Sequence, residues 1–549
     1  MAMIRLARRS LLAGATLLLC GAGAPAPAYD LVIRNGHVID GSGKPAIAAD
    51  VAIKGGRVAR VGKIKGGGAR EIDARGLYVS PGWIDMLDQS GGVLTKNGEA
   101  ANKLRMGVTT LLGGEAGTPV PAAQVADWFD TLEAQGIAVN FGSYYGTTQA
   151  RIEVIGDKAD APTPEQLEAM KGRVATAMEA GALGVANALI YPPASFQSTD
   201  ELIALATVAG RYGGVYGSHI RDESGGLLTA IDEAIRIGET AKIPVEVFHF
   251  KGAYQPGWGK LLPQAVARIE AARARGLDVA ADVYPYTAGG TGLDATLPSW
   301  VFRDGLQKVG EKLADPATRE RIKRDVAAGS QPGWANLVEA SGGWSGVILA
   351  NAHNAEFDRF KGQSIADIAR QLGRDPTELS WEIMAGARPN RAQALFNLID
   401  ESDLRTALRQ PWTSIGSDAA ASMAEGQVDA LGLPHPRAYG TFPRIVAEYV
   451  KRRRLLTLET AIRKMTGWPA ERMRLKDRGL LRQGQWADIT IFDLETLDDV
   501  ADWAAPTASP VGIEYVLVNG VPVLERGRLT GAKPGRVVRG PGFKTTTKP

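Results

Sequence analysis

Between residues 80 and 470 the chain alternates short apolar runs with helical patterns, and that alternation admits few folds. The runs are YVSPGWID, VTTLLGGE, VNFGSYYG, GVANALIY, GVYGSHI, VEVFHF, LDVAADVYP and TSIGSD. Helical segments intervene, among them TPEQLEAMKGRVATAMEAG, TDELIALATVAGRYG and LLTAIDEAIRIGETAK. Strands that alternate with helices build βα units around a parallel sheet. Eight such units predict an α/β fold, a (β/α)8 TIM-like barrel over residues 81–469, with its chemistry at the C-terminal strand ends. The long gap between LDVAADVYP and TSIGSD predicts an inserted subdomain near 290–345.

Both ends of the chain read differently. YDLVIRNGHVIDGSG and DVAIKGGRVARVG near one end, and ADITIFD and GIEYVLVNGVPVLERGRLTG near the other, alternate apolar residues between glycine-bounded turns. These are antiparallel strand patterns, and VNG is a hairpin signal. Chain termini often lie close together, so residues 29–80 plus 470–540 are expected to form one composite β-sandwich domain. GGG at 66–68 and GGTG at 289–292 read as turns, because no strand–glycine–helix context makes them phosphate cradles.

Residues 1–28 have the layout of a secretory signal peptide: Arg5, Arg8 and Arg9, then apolar Leu11 to Leu19, then Ala26-Pro27-Ala28. Export to the periplasm or medium is expected, by a Sec signal or, from the Arg8-Arg9 pair, a twin-arginine signal. Cleavage there removes three of the 63 basic residues and none of the 60 acidic ones, which leaves the mature chain balanced. Nucleic acid is therefore not an expected partner, and no apolar run after residue 30 suggests a stable membrane anchor. The single cysteine, Cys20, leaves as well, so the mature protein has neither disulfide nor thiolate ligand. Oligomeric state stays open.

Three chemically capable residues end strand-like runs: His219 in GVYGSHI, His249 in VEVFHF and Asp418 in TSIGSD. The histidines stand one βα unit apart, so in a barrel their imidazoles converge at the mouth, where neutral imidazole suits zinc. The competing account is a pair of hydrogen-bonded core histidines. Asp418, returned to the first strands by barrel closure, could ligate a metal or carry a proton; it could also cap a helix. Of the other histidines, His37 falls on an N-terminal strand, His353 on a loop, and His435 is placed to brace the loop carrying Arg437. No Gly-x-Ser-x-Gly elbow supports a serine hydrolase.

The motifs PGWID (81–85), GVTT (107–110), GALGVANALIYPP (181–193), SHIRDE (218–223), FHFKGAY (248–254), ADVYPYTA (281–288), IGSD (415–418), HPRAYGTFPR (435–444) and the segment 462–493 carry a resemblance. The chain resembles the N-acyl-D-amino-acid deacylases of the amidohydrolase superfamily, from about residue 29 to residue 540. The resemblance implies a metal-dependent barrel in which residues matching His219 and His249 hold the metal and one matching Asp418 is the general acid/base. It also implies that Lys251, Tyr284 and Arg437 hold the carboxylate of an N-acyl amino acid substrate, a suitable trio for that anion.

The sequence departs from the family pattern at three places. The usual His-x-His pair after the first strand is replaced by Leu87 and Gln89, the ligand cysteine by Glu115 in GGEAG, and a frequent histidine after the third strand by Thr147. Two histidines and a carboxylate are an established zinc set. The expected site is therefore one divalent metal, zinc, held by Glu115, His219 and His249, with Asp418 as base. The expected activity is amide hydrolysis of N-acyl-(D-)amino acids. A lactone, cyclic-amide or dipeptide hydrolase on the same fold, or a metal-free binding protein, is the alternative.

Overall fold

A computed structural model describes residues 27–544. The predicted signal peptide thus lies almost wholly outside the described residues. Among these residues no helix is long and apolar enough to cross a membrane.

The eight apolar runs form the eight parallel strands of a barrel: Trp83–Asp88, Val108–Gly113, Asn140–Ser143 continued by Tyr145–Gly146, Gly184–Ala188, Val215–His219, Val245–Val247, Val279–Val283 and Thr413–Ile415. Their fully buried patterns are those of strands covered on both faces. Successive strands pair in parallel from the first through the third and from the third through the eighth. Closure occurs where Asp88 bridges Ala419, with Asp418 N–H on Leu87 O at 2.8 Å and Gln89 N–H on Ala419 O at 3.2 Å. That seam sets Gln89 beside Asp418.

Helices return each strand to the bottom of the barrel. Pro164–Ala180 starts at a capping box in which Thr163 and Gln166 satisfy each other's backbone N–H, and Ser198 caps Thr199–Arg211. Helix Leu227–Ala241 lays Leu227, Ile231, Ala234 and Ile235 on the sheet, a spacing that follows the 3.6-residue turn.

The two chain ends build one nine-stranded sheet, in which strand Tyr78–Pro81 pairs antiparallel with Ile489–Phe492 from the opposite end. Ile33, Val51, Val79, Ile489, Ile491 and Leu517 share its core. Its last strand ends at Leu529, short of residue 540. The chain then crosses to the barrel, where Phe141 N–H donates to Arg536 O at 3.0 Å and Val538 N–H to Phe141 O at 2.7 Å.

The insertion also runs further than its expected limit of 345. It contains a three-stranded antiparallel sheet of Gly289–Gly292, Gln393–Phe396 and Val347–Asn351. The GGTG segment is thus a strand rather than a turn. Its glycines answer to packing, since a Cβ on Gly290 would stand 2.5 Å from Leu433 Cδ2.

Candidate metal centre at the barrel mouth

Glu115 follows the second strand, His219 ends the fifth and His249 lies just beyond the sixth, and all three are buried. Glu115 Oε1 lies 3.0 Å from His219 Nδ1 and 3.1 Å from His249 Nε2, and the two imidazoles meet edge to face with centroids 4.3 Å apart. Each of the three offers one donor atom, all within 4.8 Å of one another. Two imidazole nitrogens and a carboxylate oxygen at this spacing fit a divalent metal of the zinc type.

Glu223, four residues past His219, backs both rings and was missed in the sequence. Its Oε1 lies 3.0 Å from His249 Nδ1 and its Oε2 3.4 Å from His219 Nε2, a nitrogen with no closer hydrogen-bond partner. A carboxylate behind a ligating histidine fixes its tautomer and orientation; here one carboxylate serves two. Placing the ring protons toward Glu223 leaves His219 Nδ1 and His249 Nε2 with free lone pairs on the Glu115 side. The SHIRDE motif contained the signal, an acid one helical turn's spacing beyond the histidine.

Without metal, the site is a proton trap. Burial opposes charge on His219, but the carboxylates of Glu223 and Glu115 outweigh it and raise its pKa to about 9. Burial likewise works against the Glu115 carboxylate, yet the two histidines hold it below the usual range.

Asp418 sits across from this trio. Gln89 links them, donating one amide hydrogen to Glu115 Oε2 and the other to Asp418 Oδ1, the latter at 3.2 Å. The residue standing where the resemblance expects a histidine is therefore a bridge between Glu115 and Asp418. Leu87 is buried and offers no donor. Thr147 turns from the mouth to bond Gln197 Oε1 at 2.9 Å.

The loop with Asp418 is fixed from below. Lys103, fully buried, reaches Asp85 Oδ2 at 3.0 Å, Asp88 Oδ2 at 2.8 Å, Ser417 Oγ at 2.8 Å and Ala419 O at 2.7 Å. His249 and Asp418 both hold positive φ, 35° and 49°, a region costly for residues with a Cβ. For His249, the buried Asp282 carboxylate accepts its backbone N–H at 3.0 Å. Such strain persists only where the surroundings enforce it.

The three residues expected to hold a carboxylate do line the same pocket, of about 380 Å³, but they are not equivalent. Arg437 is buried and pairs with Asp418 Oδ2 at 2.5 Å. Tyr284 lies under its guanidinium, 5.0 Å from ring centroid to Cζ, and burial pushes its hydroxyl pKa up, which keeps it a neutral donor. Lys251 is turned away from the pocket's open side, donating to Glu223 Oε1 at 2.6 Å and to His249 O at 3.1 Å. Two of its three N–H groups thus support the metal side of the site. His435 braces Arg437 as expected: its Nδ1 accepts the Arg437 N–H at 3.1 Å, so Nε2 donates to Ala288 O at 3.0 Å.

A model of the amidohydrolase family matches residues 70–524. The chain is 33% identical over 531 residues to an N-acyl-D-glutamate deacylase of Alcaligenes xylosoxydans xylosoxydans, covering 93% of this chain and 96% of that protein. It is 31% identical to a D-aminoacylase of the same organism, covering 93% and 97%. Among solved structures, an N-acyl-D-glutamate deacylase from Bordetella bronchiseptica, complexed with zinc and a phosphonate mimic of the reaction's tetrahedral intermediate, superposes with a TM-score of 0.77 at 28% identity over 93% of this chain and 99% of that one. A D-aminoacylase with a binuclear metal centre, described by one-metal activation and second-metal attenuation, gives 0.77 at 30% identity over 93% and 99%.

Proposed function

Given that this chain belongs to the amidohydrolase family and is an amide hydrolase of the N-acyl-D-amino-acid deacylase kind, we propose that it is an exported enzyme that releases D-amino acids from their N-acyl derivatives with a single zinc ion. The observation that carries this reading is the convergence of Glu115, His219 and His249 on one point, linked through Gln89 to Asp418.

Glu115 Oε1, His219 Nδ1 and His249 Nε2 would hold the metal. When bound, it supplies Lewis acidity that polarises the acyl carbonyl and lowers the pKa of water. Asp418 accepts the proton of the attacking water at a carboxylate oxygen and delivers it to the departing amine nitrogen. Gln89 keeps that carboxylate aimed at the reacting centre. Arg437 and the Tyr284 hydroxyl receive the α-carboxylate of the substrate, while Lys251 holds Glu223 and through it both imidazoles. A single metal is favoured because Leu87 and Gln89 give a second one no imidazole.

The test is metal content together with turnover. Protein grown with zinc should hold about one equivalent, hydrolyse N-acetyl-D-amino acids and leave the L-enantiomers largely intact. Glu115→Ala should lose metal and activity together. Wild-type protein with well under one equivalent, inert toward every N-acyl amino acid, would make this a binding protein. Equal rates for both enantiomers would remove the D assignment. Export is checked by sequencing the N-terminus of the periplasmic or secreted protein, expected to begin near Tyr29.

A further inference from the structure

Beside the metal pocket lies a second, larger cavity of about 690 Å³, a size that suits a whole small-molecule ligand. The two share a wall of Ala116, Ala188, Ile190, Tyr191, Leu337 and Arg391. Ala116 is the neighbour of the metal ligand Glu115, so the chamber begins one residue from the reacting centre.

The chamber is apolar and has no unpaired charge. Its charged lining groups are Glu153, Asp294 and Arg391. Arg391 and Asp294 pair with each other at 2.6 Å, and Glu153 is taken by the Tyr145 hydroxyl at 2.7 Å and the Ala122 N–H at 3.1 Å. The rim carries Ile152 and Leu306, 48% and 49% exposed, one on the helix after the third strand and one on the insertion. These two side chains carry the apolar lining out to the chamber's edge.

Barrel order gives the chamber its occupant. The shared wall comes largely from the loops after the second and fourth strands. Arg437 and Tyr284 stand past the eighth and seventh, on the other side of the mouth, and neither lines the chamber. With the carboxylate held there and the scissile carbonyl at Glu115, His219 and His249, the acyl chain continues toward Ala116 and Tyr191. An acetyl methyl would leave the hollow empty.

We propose that this chamber is an acyl-chain subsite and that the enzyme's substrates are N-acyl-D-amino acids bearing linear aliphatic chains of medium to long length. This rests on the proposed hydrolase reading. Each methylene buried there gains about fourfold in binding.

The test compares kcat/KM for N-acetyl-, N-butyryl-, N-octanoyl- and N-lauroyl-D-leucine, with a D-glutamate series in parallel, on the zinc-loaded enzyme. Binding of the acetyl and octanoyl compounds to zinc-loaded Asp418→Asn is measured by calorimetry. N-octanoyl should exceed N-acetyl by at least about 100-fold in kcat/KM, with the same order in binding. Ala295→Trp, which fills the chamber, should cut that ratio at least tenfold. Hydrolysis with an octanoyl-to-acetyl ratio below about 5, or a gain that follows the amino-acid side chain and not the acyl chain, overturns the subsite and leaves the hydrolase standing. Tight octanoyl binding without hydrolysis of any substrate supports the subsite and overturns the hydrolase. Neither binding preference nor hydrolysis overturns both.

Discussion

Arg437 and Asp418 face each other as a buried ion pair, Nη1 to Oδ2 at 2.5 Å. The pair joins the group that would hold the substrate's carboxylate to the group that would move the proton. Only Nη1 is used on Asp418, and Nε has no hydrogen-bond partner, so a substrate carboxylate on the same guanidinium would share its positive charge with Asp418.

Arg437→Met should therefore act mainly on carboxylated substrates. Removing one member of a buried charge pair costs about 2–5 kcal/mol, so kcat/KM for an N-acetyl-D-amino acid should fall by at least about 30-fold, mostly through KM. N-acetyl amines without the carboxylate should lose far less. Equal losses for both classes, measured as separate kcat and KM values, would confine Arg437 to holding Asp418.

Gln89→Ala removes the bridge between Glu115 and Asp418. A hydrogen bond to a charged group is worth about 1.5–3 kcal/mol, and the loss should appear in kcat, about tenfold or more, with one zinc still bound. Zinc analysis beside steady-state kinetics checks it; loss of the metal instead would make Gln89 part of the zinc-holding shell.

Zinc binding should release a proton. Burial disfavours charge on His219, but Glu223 and Glu115 raise its metal-free pKa to about 9, so below pH 9 the metal must expel that proton. Apparent affinity should therefore fall as pH drops below 9, by up to about tenfold per unit. Calorimetry at pH 7 in buffers of different ionisation enthalpy should report about one proton released. Glu223→Gln should release less, and should bind zinc about 10–100-fold more weakly through its looser histidines.

Lys103→Met leaves Asp85 and Asp88 as buried carboxylates without their cation. Such a change destabilises by about 3–5 kcal/mol, readable as a lower denaturant midpoint. Activity should fall alongside at temperatures where the variant is still folded, because the Ser417 and Ala419 contacts that hold Asp418 go with the lysine.

Much of this was legible in the sequence, for a physical reason. Barrel strands are buried on both faces, so each leaves a largely apolar run, and a histidine at its C-terminal end stands at the level of the mouth. His219 and His249 were readable on that basis. The insertion's presence was readable too, but its first strand was not, because Gly289–Gly292 carries no side chain heavier than that of Thr291 and has no apolar pattern to betray a strand. Nor were Glu223 and the true bonding of Lys251 and Gln89, which depend on loop conformation. Gln89 and Asp418 stand 329 residues apart in sequence and meet only when the barrel closes.

The sheet made from both chain ends sets a clock on biosynthesis. Ser80 bonds Thr490 O, 410 residues further along, and the ribosome adds about 5–20 residues per second. The opening strands therefore wait about 20–80 s for their partners to be made. During that interval the unpaired edge of strand Tyr78–Pro81 is a template for stray association, so nascent chains of this protein should depend on a chaperone until synthesis has passed the partner strand Ile489–Phe492.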